Sequence, residues 1–245
     1  MPLKALTNKQ PRNTSMKQIS YTSKKLGSIV IESRLNQYTI FSNRLEARSL
    51  NQDDEHFLID KYTQLLKKPE NINMFGEGKI WQPSTVKEFI QDETKCWNSG
   101  NKFSVFSIYH SGTQEFIGYL HIKHSLNDFA AIGIGHQNVA EIAYIIDQAF
   151  WGKGYGTEIA ILGKKFIKHI ISESADETLE KNIKEIAATV HPSNEGSKRI
   201  LQKTLKQMEP EEFTKFGDQP RLLFFKPLKT DVSLLDNSNT LTAKL

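Results

Sequence analysis

The sequence predicts an α/β (α+β) chain built on a mixed, mostly antiparallel central sheet flanked by helices, and three observations carry that prediction. Three strand-like runs, 103–109, 116–124 and 139–146, follow one another across Gly-, Ser- and Asn-containing segments, the pattern of an antiparallel meander. A glycine-rich turn at 151–156 then leads into a long amphipathic helix and a further strand, a crossover that sets the new strand parallel to the old one. Two more helical stretches precede the meander, giving the order β-α-α-β-β-β-α-β-α-β.

Taken along the chain, 38–48 carries strand-like stretches at Ile40-Phe41 and Leu45-Glu46-Ala47-Arg48. Asn51-Gln52-Asp53-Asp54-Glu55 then offers an N-cap and a first-turn acidic cluster ahead of Phe57, Leu58, Tyr62, Leu65 and Leu66, which recur at helical spacing. A second helix opens at Ser84, after Pro83, with Val86, Phe89, Ile90 and Trp97 on its apolar face, and Ser99-Gly100-Asn101 stops it. Trp81 and Trp97 read as packing residues, with an acceptor-pocket role as the alternative. After the meander, Ile159, Leu162, Phe166, Ile167 and Ile170 stripe a helix over 157–172. A polar link leads to a strand at 186–190, a helix over 194–205 and a closing strand at 221–226.

At 245 residues and 38% hydrophobic, the chain suffices for one domain with extensions and not for two large ones. The 32 Lys+Arg exceed the 28 Asp+Glu, yet six of the bases and none of the acids fall in the first 30 residues, so the excess belongs to the leader. Residues 1–35 are expected to be a disordered, solvated basic leader rather than a nucleic-acid contact, 36–228 the folded domain, and 229–245 a polar tail. The single Cys96 closes no disulfide and the start is polar, so a cytoplasmic setting is expected. No apolar stretch approaches the roughly 20 residues that span a bilayer. His121 and His124 fall on opposite faces of a strand, so no metal is expected. Without a heptad seam, a monomer or dimer is expected.

The chemistry concentrates where the third run of the meander ends. Gly152, Gly154 and Gly156 let backbone approach a ligand closely, and the first N–H groups of the following helix point outward with the positive end of its dipole, a geometry that binds an anion. The glycines fall at every second position, so neither the dinucleotide fingerprint nor the G-K-[ST] ending of a P-loop is met. A glycine-rich turn with no ligand is the alternative.

These residues resemble the GCN5-related N-acetyltransferase (GNAT) superfamily, in which acetyl-CoA is held by a loop of the form [QR]-x-x-G-x-[GA]. Gly154-Tyr155-Gly156 matches its end, while Trp151 replaces its first residue. Glu141-Ile142-Ala143-Tyr144 followed by Trp151-Gly152-Lys153-Gly154-Tyr155-Gly156-Thr157-Glu158 is similar to the branch of ribosomal-protein and spermidine acetyltransferases. Asn43-Arg44-Leu45-Glu46-Ala47-Arg48 is similar to that branch's first strand, and Asn194 through Lys203 to its Asn-x-x-Ser helix start.

The resemblance implies a sheet whose fourth and fifth strands splay, with pantetheine lying in the gap. It implies that Tyr144, Ile145 and Ile146 offer backbone groups to pantetheine, that Trp151, Gly152, Lys153, Gly154, Tyr155, Gly156 and Thr157 cradle the pyrophosphate, and that Asn194 and Ser197 face the cofactor arm. The implied reaction is direct transfer of acetyl from acetyl-CoA, as cosubstrate, to a primary amine, either a protein N-terminus or a small amine. Glu141 is the candidate base, with a strand carboxylate beside a cross-strand partner as its alternative reading. In such enzymes a tyrosine after the helix at 194–205 often protonates the thiolate, but no tyrosine follows Tyr155, and Phe213, Phe216, Phe224 and Phe225 occupy that region. That departure motivates the rival expectation, a catalytically weak acyl-CoA-binding or partner-binding protein that keeps the fold.

Overall fold

The computed structural model describes residues 15–125, 138–175 and 178–228. The chain opens with strands β1 (Lys17–Ser23), β2 (Gly27–Arg34), β3 (Gln37–Phe41) and β4 (Leu45–Ser49), followed by helices α1 (Glu55–Leu66), α2 (Pro69–Ile72) and α3 (Pro83–Asn98). The meander is β5 (Val105–His110), β6 (Phe116–Ser125) and β7 (Val139–Ile146). Then come α4 (Tyr155–Glu173), β8 (Glu185–Val190), α5 (Glu195–Leu205) and a hairpin of β9 (Glu211–Lys215) and β10 (Gln219–Pro227). The strands form one sheet in the order β1-β2-β3-β4-β5-β6-β7-β8-β10-β9, with β7 parallel to β8 and every other neighbouring pair antiparallel. The mixed, mostly antiparallel sheet flanked by helices is the expected fold class.

The disordered leader expected over residues 1–35 is corrected from Lys17 onward, where β1 and β2 form a hairpin on the edge of the sheet. Ile29 and Ile31 are buried at alternate positions, so this segment has a period-two apolar face that average composition conceals. The Tyr21 hydroxyl meets His169 Nδ1 at 2.9 Å and ties the hairpin to α4. Residues 1–14 and the expected tail at 229–245 lie outside the described residues. A third strand the sequence did not reveal is β9, whose Glu-Glu-Phe-Thr-Lys is too charged for a core strand and suits an edge.

Local chemistry sets the helix ends. Asp54 caps α1 by accepting from the Phe57 N–H at 3.0 Å. The second long helix starts one residue before Ser84, with Pro83 in its first turn, where the fixed φ and missing N–H cost nothing. On one face of the sheet Tyr62 of α1 bonds Ser107 and stacks on Tyr119. On the other, Phe166 of α4 packs edge-on against Phe106 and Tyr38. Trp97 is core, its indole N–H donating to the Val105 carbonyl at 2.8 Å. Among the described residues no helix is long and apolar enough to cross a membrane.

Burial lowers the pKa of His169 from its ordinary 6.5, so the neutral ring is the folded form. The stability this contributes is complete above the ordinary value and is lost as pH falls through the lowered one. Thermal melting against pH should therefore decline below about pH 6.5, and His169→Gln should flatten part of that decline. Tyr21→Phe should cost about 1 kcal/mol at neutral pH, read by urea unfolding.

Candidate active site

The parallel pairing of β7 with β8 begins at Val139↔Glu185 and stops at Glu141↔Ala187. Beyond that point 142–146 pair only with β6, and 188–190 only with β10. The splayed fourth and fifth strands of the expected core are therefore β7 and β8. A cavity of about 540 Å³ opens between them, walled by residues 142–146 and 188–190, by the turn after β7 and by the first turns of α5. Backbone groups facing this gap have no strand partner, which makes it a place for an extended ligand.

The turn that closes β7 is built for close approach. Asp147 accepts from the Ala149 N–H, the Trp151 indole donates to the Ile146 carbonyl at 2.7 Å, and Gly152 and Gly154 take φ of +75° and +81°. Gly154 is the N-cap of α4, so the N–H groups of Tyr155, Gly156 and Thr157 are free of intrahelical partners beside the cavity. A Cβ on Gly156 would stand 2.6 Å from Ile200 Cδ1, so a larger residue there would make the end of the Ile200 side chain shift. Lys153 is directed elsewhere: its Nζ donates to the Ala149 carbonyl at 3.0 Å.

A buried carboxylate anchors this turn to the turn between β3 and β4. Glu158, 2% exposed, accepts from Ser42 Oγ at 2.7 Å and from Arg44 Nε and Nη2 at 2.9 and 2.6 Å. Arg44 also donates to the Lys153 carbonyl at 2.9 Å and lies 4.6 Å over the Tyr155 ring.

Inside the gap, the Tyr144 hydroxyl and Ser197 Oγ are 3.0 Å apart, and both residues line the cavity. Burial pushes the Tyr144 pKa up to about 12, against a smaller opposing effect of Ser197. Asn194 caps α5 by accepting from the Ser197 N–H at 3.0 Å, which fixes where Ser197 sits. Arg199 and Lys203, exposed on the same helix, add positive charge to the cavity rim.

Glu141 stands apart from this group. It is 3% exposed and does not border the cavity. Its carboxylate accepts from Ser125, Thr189 and Lys215 and pairs with Lys123, all at 3.3 Å. Thr189 does border the cavity, so it stands between Glu141 and the gap. Met74 and Phe75 add a further wall to the cavity, with exposed Glu70 beside them. Arg221, 3% exposed, holds that loop by donating to the Met74 and Gly76 carbonyls, while its Nε has no partner. Burial lowers the Arg221 pKa.

The structure thus gathers Tyr144, Ile145, Ile146, Trp151, Gly152, Gly154, Tyr155, Gly156, Thr157, Asn194 and Ser197 around one cavity and leaves Lys153 and Glu141 outside it. Sequence reasoning missed the Tyr144 hydroxyl, Arg199 and the loop at 74–75. Arg199 could have been found from its place half a turn beyond Ser197 on the same helix; the loop carries no periodic signal.

A mixed sheet opened between two parallel strands, with a glycine turn and a long helix at the opening, defines an acetyltransferase class of fold. The chain belongs to the GNAT family: the family model described as Acetyltransferase (GNAT) domain matches residues 44–204. Among solved structures, a GNAT-family acetyltransferase from Bacillus anthracis aligns at 15% identity and a TM-score of 0.57, covering 77% of this chain and 98% of that one. A Salmonella typhimurium acetyltransferase described as modifying the N-terminal serine of a 50S ribosomal subunit protein aligns at 15% identity and a TM-score of 0.52, covering 77% and 97%. RimL, a ribosomal alpha-N-protein acetyltransferase solved with coenzyme A, gives 15% and 0.52, covering 76% and 96%. At these identities the likeness is one of fold. No curated protein sequence matches the chain.

Arg44→Met leaves the Glu158 carboxylate buried with Ser42 alone. Because Arg44 is 41% exposed, the expected loss is about 2–3 kcal/mol rather than the larger cost of a fully buried pair. Adding Glu158→Leu should recover most of it, since no unpaired charge then remains. Urea unfolding of the two variants checks this; equal losses would mean that Arg44 contributes by packing alone.

Proposed function

We propose that the protein transfers the acetyl group of acetyl-CoA to a primary amine by direct attack of the amine on the thioester. The observation that carries this reading is the gap between β7 and β8, lined on both sides by backbone with no strand partner across it and by the Tyr144 and Ser197 hydroxyls within. Acetyl-CoA supplies the activated acyl group. The N–H groups of 155–157 suit its pyrophosphate, Arg199 and Lys203 suit its remaining charge, and the backbone of Tyr144, Ile145 and Ile146 suits pantetheine laid as an added strand.

The hydroxyl pair answers the missing downstream tyrosine. As the C–N bond forms and the C–S bond breaks, Ser197, positioned by the Asn194 cap and by Tyr144, gives its proton to the departing sulfur and regains one from the ammonium that the attacking amine becomes, while Tyr144 stays protonated to about pH 12. Glu141, held by two lysines, acts as a positioning residue: it takes the Thr189 proton in a hydrogen bond and leaves the Thr189 oxygen to accept from the incoming amine. That arrangement supplies no strong base at the gap. It favours a protein N-terminus, whose α-amine is already partly neutral near its pKa of about 7.7–8.0, over an alkylamine near 10.4. Glu70 at the mouth attracts the protonated form.

Calorimetric titration with acetyl-CoA should show saturable binding that Thr157→Glu removes, because a carboxylate then faces the pyrophosphate without backbone strain. With an N-terminal peptide panel, Ser197→Ala and Tyr144→Phe should each lower kcat about 10- to 100-fold with little change in KM. The rate should rise as the amine deprotonates and show no fall up to about pH 10, where Tyr144 keeps its proton. Tight binding with no turnover across the panel would support the rival reading, an acyl-CoA-binding protein that keeps the fold. No binding at all would overturn both.

A further inference from the structure

A second cavity, of about 480 Å³, opens at the opposite end of α4 and α5, between Lys168, Lys206, Phe225 and Lys226. Lys168 lies twelve residues beyond Gly156 on α4, roughly 18 Å along the helix axis, so this cavity is separate from the gap between β7 and β8. Its volume falls within the range of small-ligand sites, about 300–1,000 Å³.

The charged residues that line it are all lysines. Lys164, half-buried one turn before Lys168, donates from Nζ to the Thr204 carbonyl at 2.7 Å, in the last turn of α5. The negative end of α5 accounts for that one cation. It does not account for Lys168 and Lys206, which with Lys226 and Lys165 bear on Lys164 as like charges and, after burial as the largest cause, hold its pKa down to about 8. No carboxylate lines the cavity, and among the described residues neither Lys168 nor Lys206 has an ion-pair partner. Lys206 also takes φ of +62° in the position after a helix where glycine would remove the strain. Like charges gathered on a concave surface raise the free energy of the free protein, and a bound anion relieves it. Compact ammonium groups suit phosphoryl oxygens, where planar pairing with a carboxylate would call for arginine.

We propose that this cavity is a phosphoryl-anion site, in which Lys168, Lys206 and Lys226 take an oligophosphate group, either free or presented as consecutive phosphates of an RNA strand. The site is independent of acetyl transfer and draws on α4, α5 and β10 rather than on the basic leader.

The test is calorimetric titration of the full chain with inorganic tripolyphosphate at about 0.15 M salt. Wild type is compared with Lys168→Ala/Lys206→Ala, which alters only exposed side chains and keeps the fold, and with Thr157→Glu in the other cavity. The expected result is saturable binding near one equivalent in wild type and Thr157→Glu, weakened about tenfold or more in the lysine variant. A single-stranded RNA oligonucleotide run in the same way separates the sources: lysine-dependent binding tighter than that of tripolyphosphate assigns the site to a nucleic-acid backbone, and weaker binding assigns it to a free oligophosphate. The proposal is overturned if neither probe binds saturably, or if binding survives in the lysine variant and disappears in Thr157→Glu.

Discussion

The pairing between β7 and β8 stops at Glu141↔Ala187, and the cavity exists because of that stop. Two strands that remained parallel to their ends would satisfy each other's backbone and leave no gap. Instead Tyr144 of β7 bonds Ser197 of α5, and Ile146 and Ile200 close on the bare Cα of Gly156. The N-terminal turns of α5 and α4 thus sit beside the place where β8 would have continued, and a ligand that enters meets unpaired backbone, two helix N-termini and a hydroxyl pair together. The splay is held open by contacts on both of its sides.

Glu158 keeps the turn at the mouth of the gap in register with the rest of the sheet. It is a buried anion in the first turn of α4, where the helix dipole favours it, and its partners come from the turn between β3 and β4. Arg44 adds the Lys153 carbonyl and the Tyr155 ring to the same guanidinium. Two segments more than a hundred residues apart are therefore locked together, and both belong to the stretches through which the sequence resembles its family. Their pattern reflects a physical contact as well as a ligand.

Much of this was legible beforehand. The apolar stripe from Ile159 to Ile170 and the alternation in the meander placed α4 and β5 to β7, because a single period ran through each. The N-terminal hairpin escaped because its short apolar run at 29–31 follows a polar stretch that carries Lys17, Lys24 and Lys25, and β9 escaped because an edge strand has no need of apolar residues. At the site, the glycine turn and the helix start at Asn194 carried strong local signals. The environment of Glu141 did not: its partners Lys123, Thr189 and Lys215 come from three other strands, and only the sheet order brings them to one carboxylate. Tyr144 was read for its backbone, and its hydroxyl gained meaning only once Ser197 was seen 3.0 Å away.

On the proposed function, the gap between β7 and β8 receives the pantetheine of acetyl-CoA as an added strand. Backbone amide hydrogen exchange with and without acetyl-CoA tests it most directly. Added acetyl-CoA should slow exchange at residues 144–146 and at the first amides of α4, with little change in β1 and β2. Unchanged exchange at those residues under saturating acetyl-CoA, with protection appearing elsewhere, would contradict it.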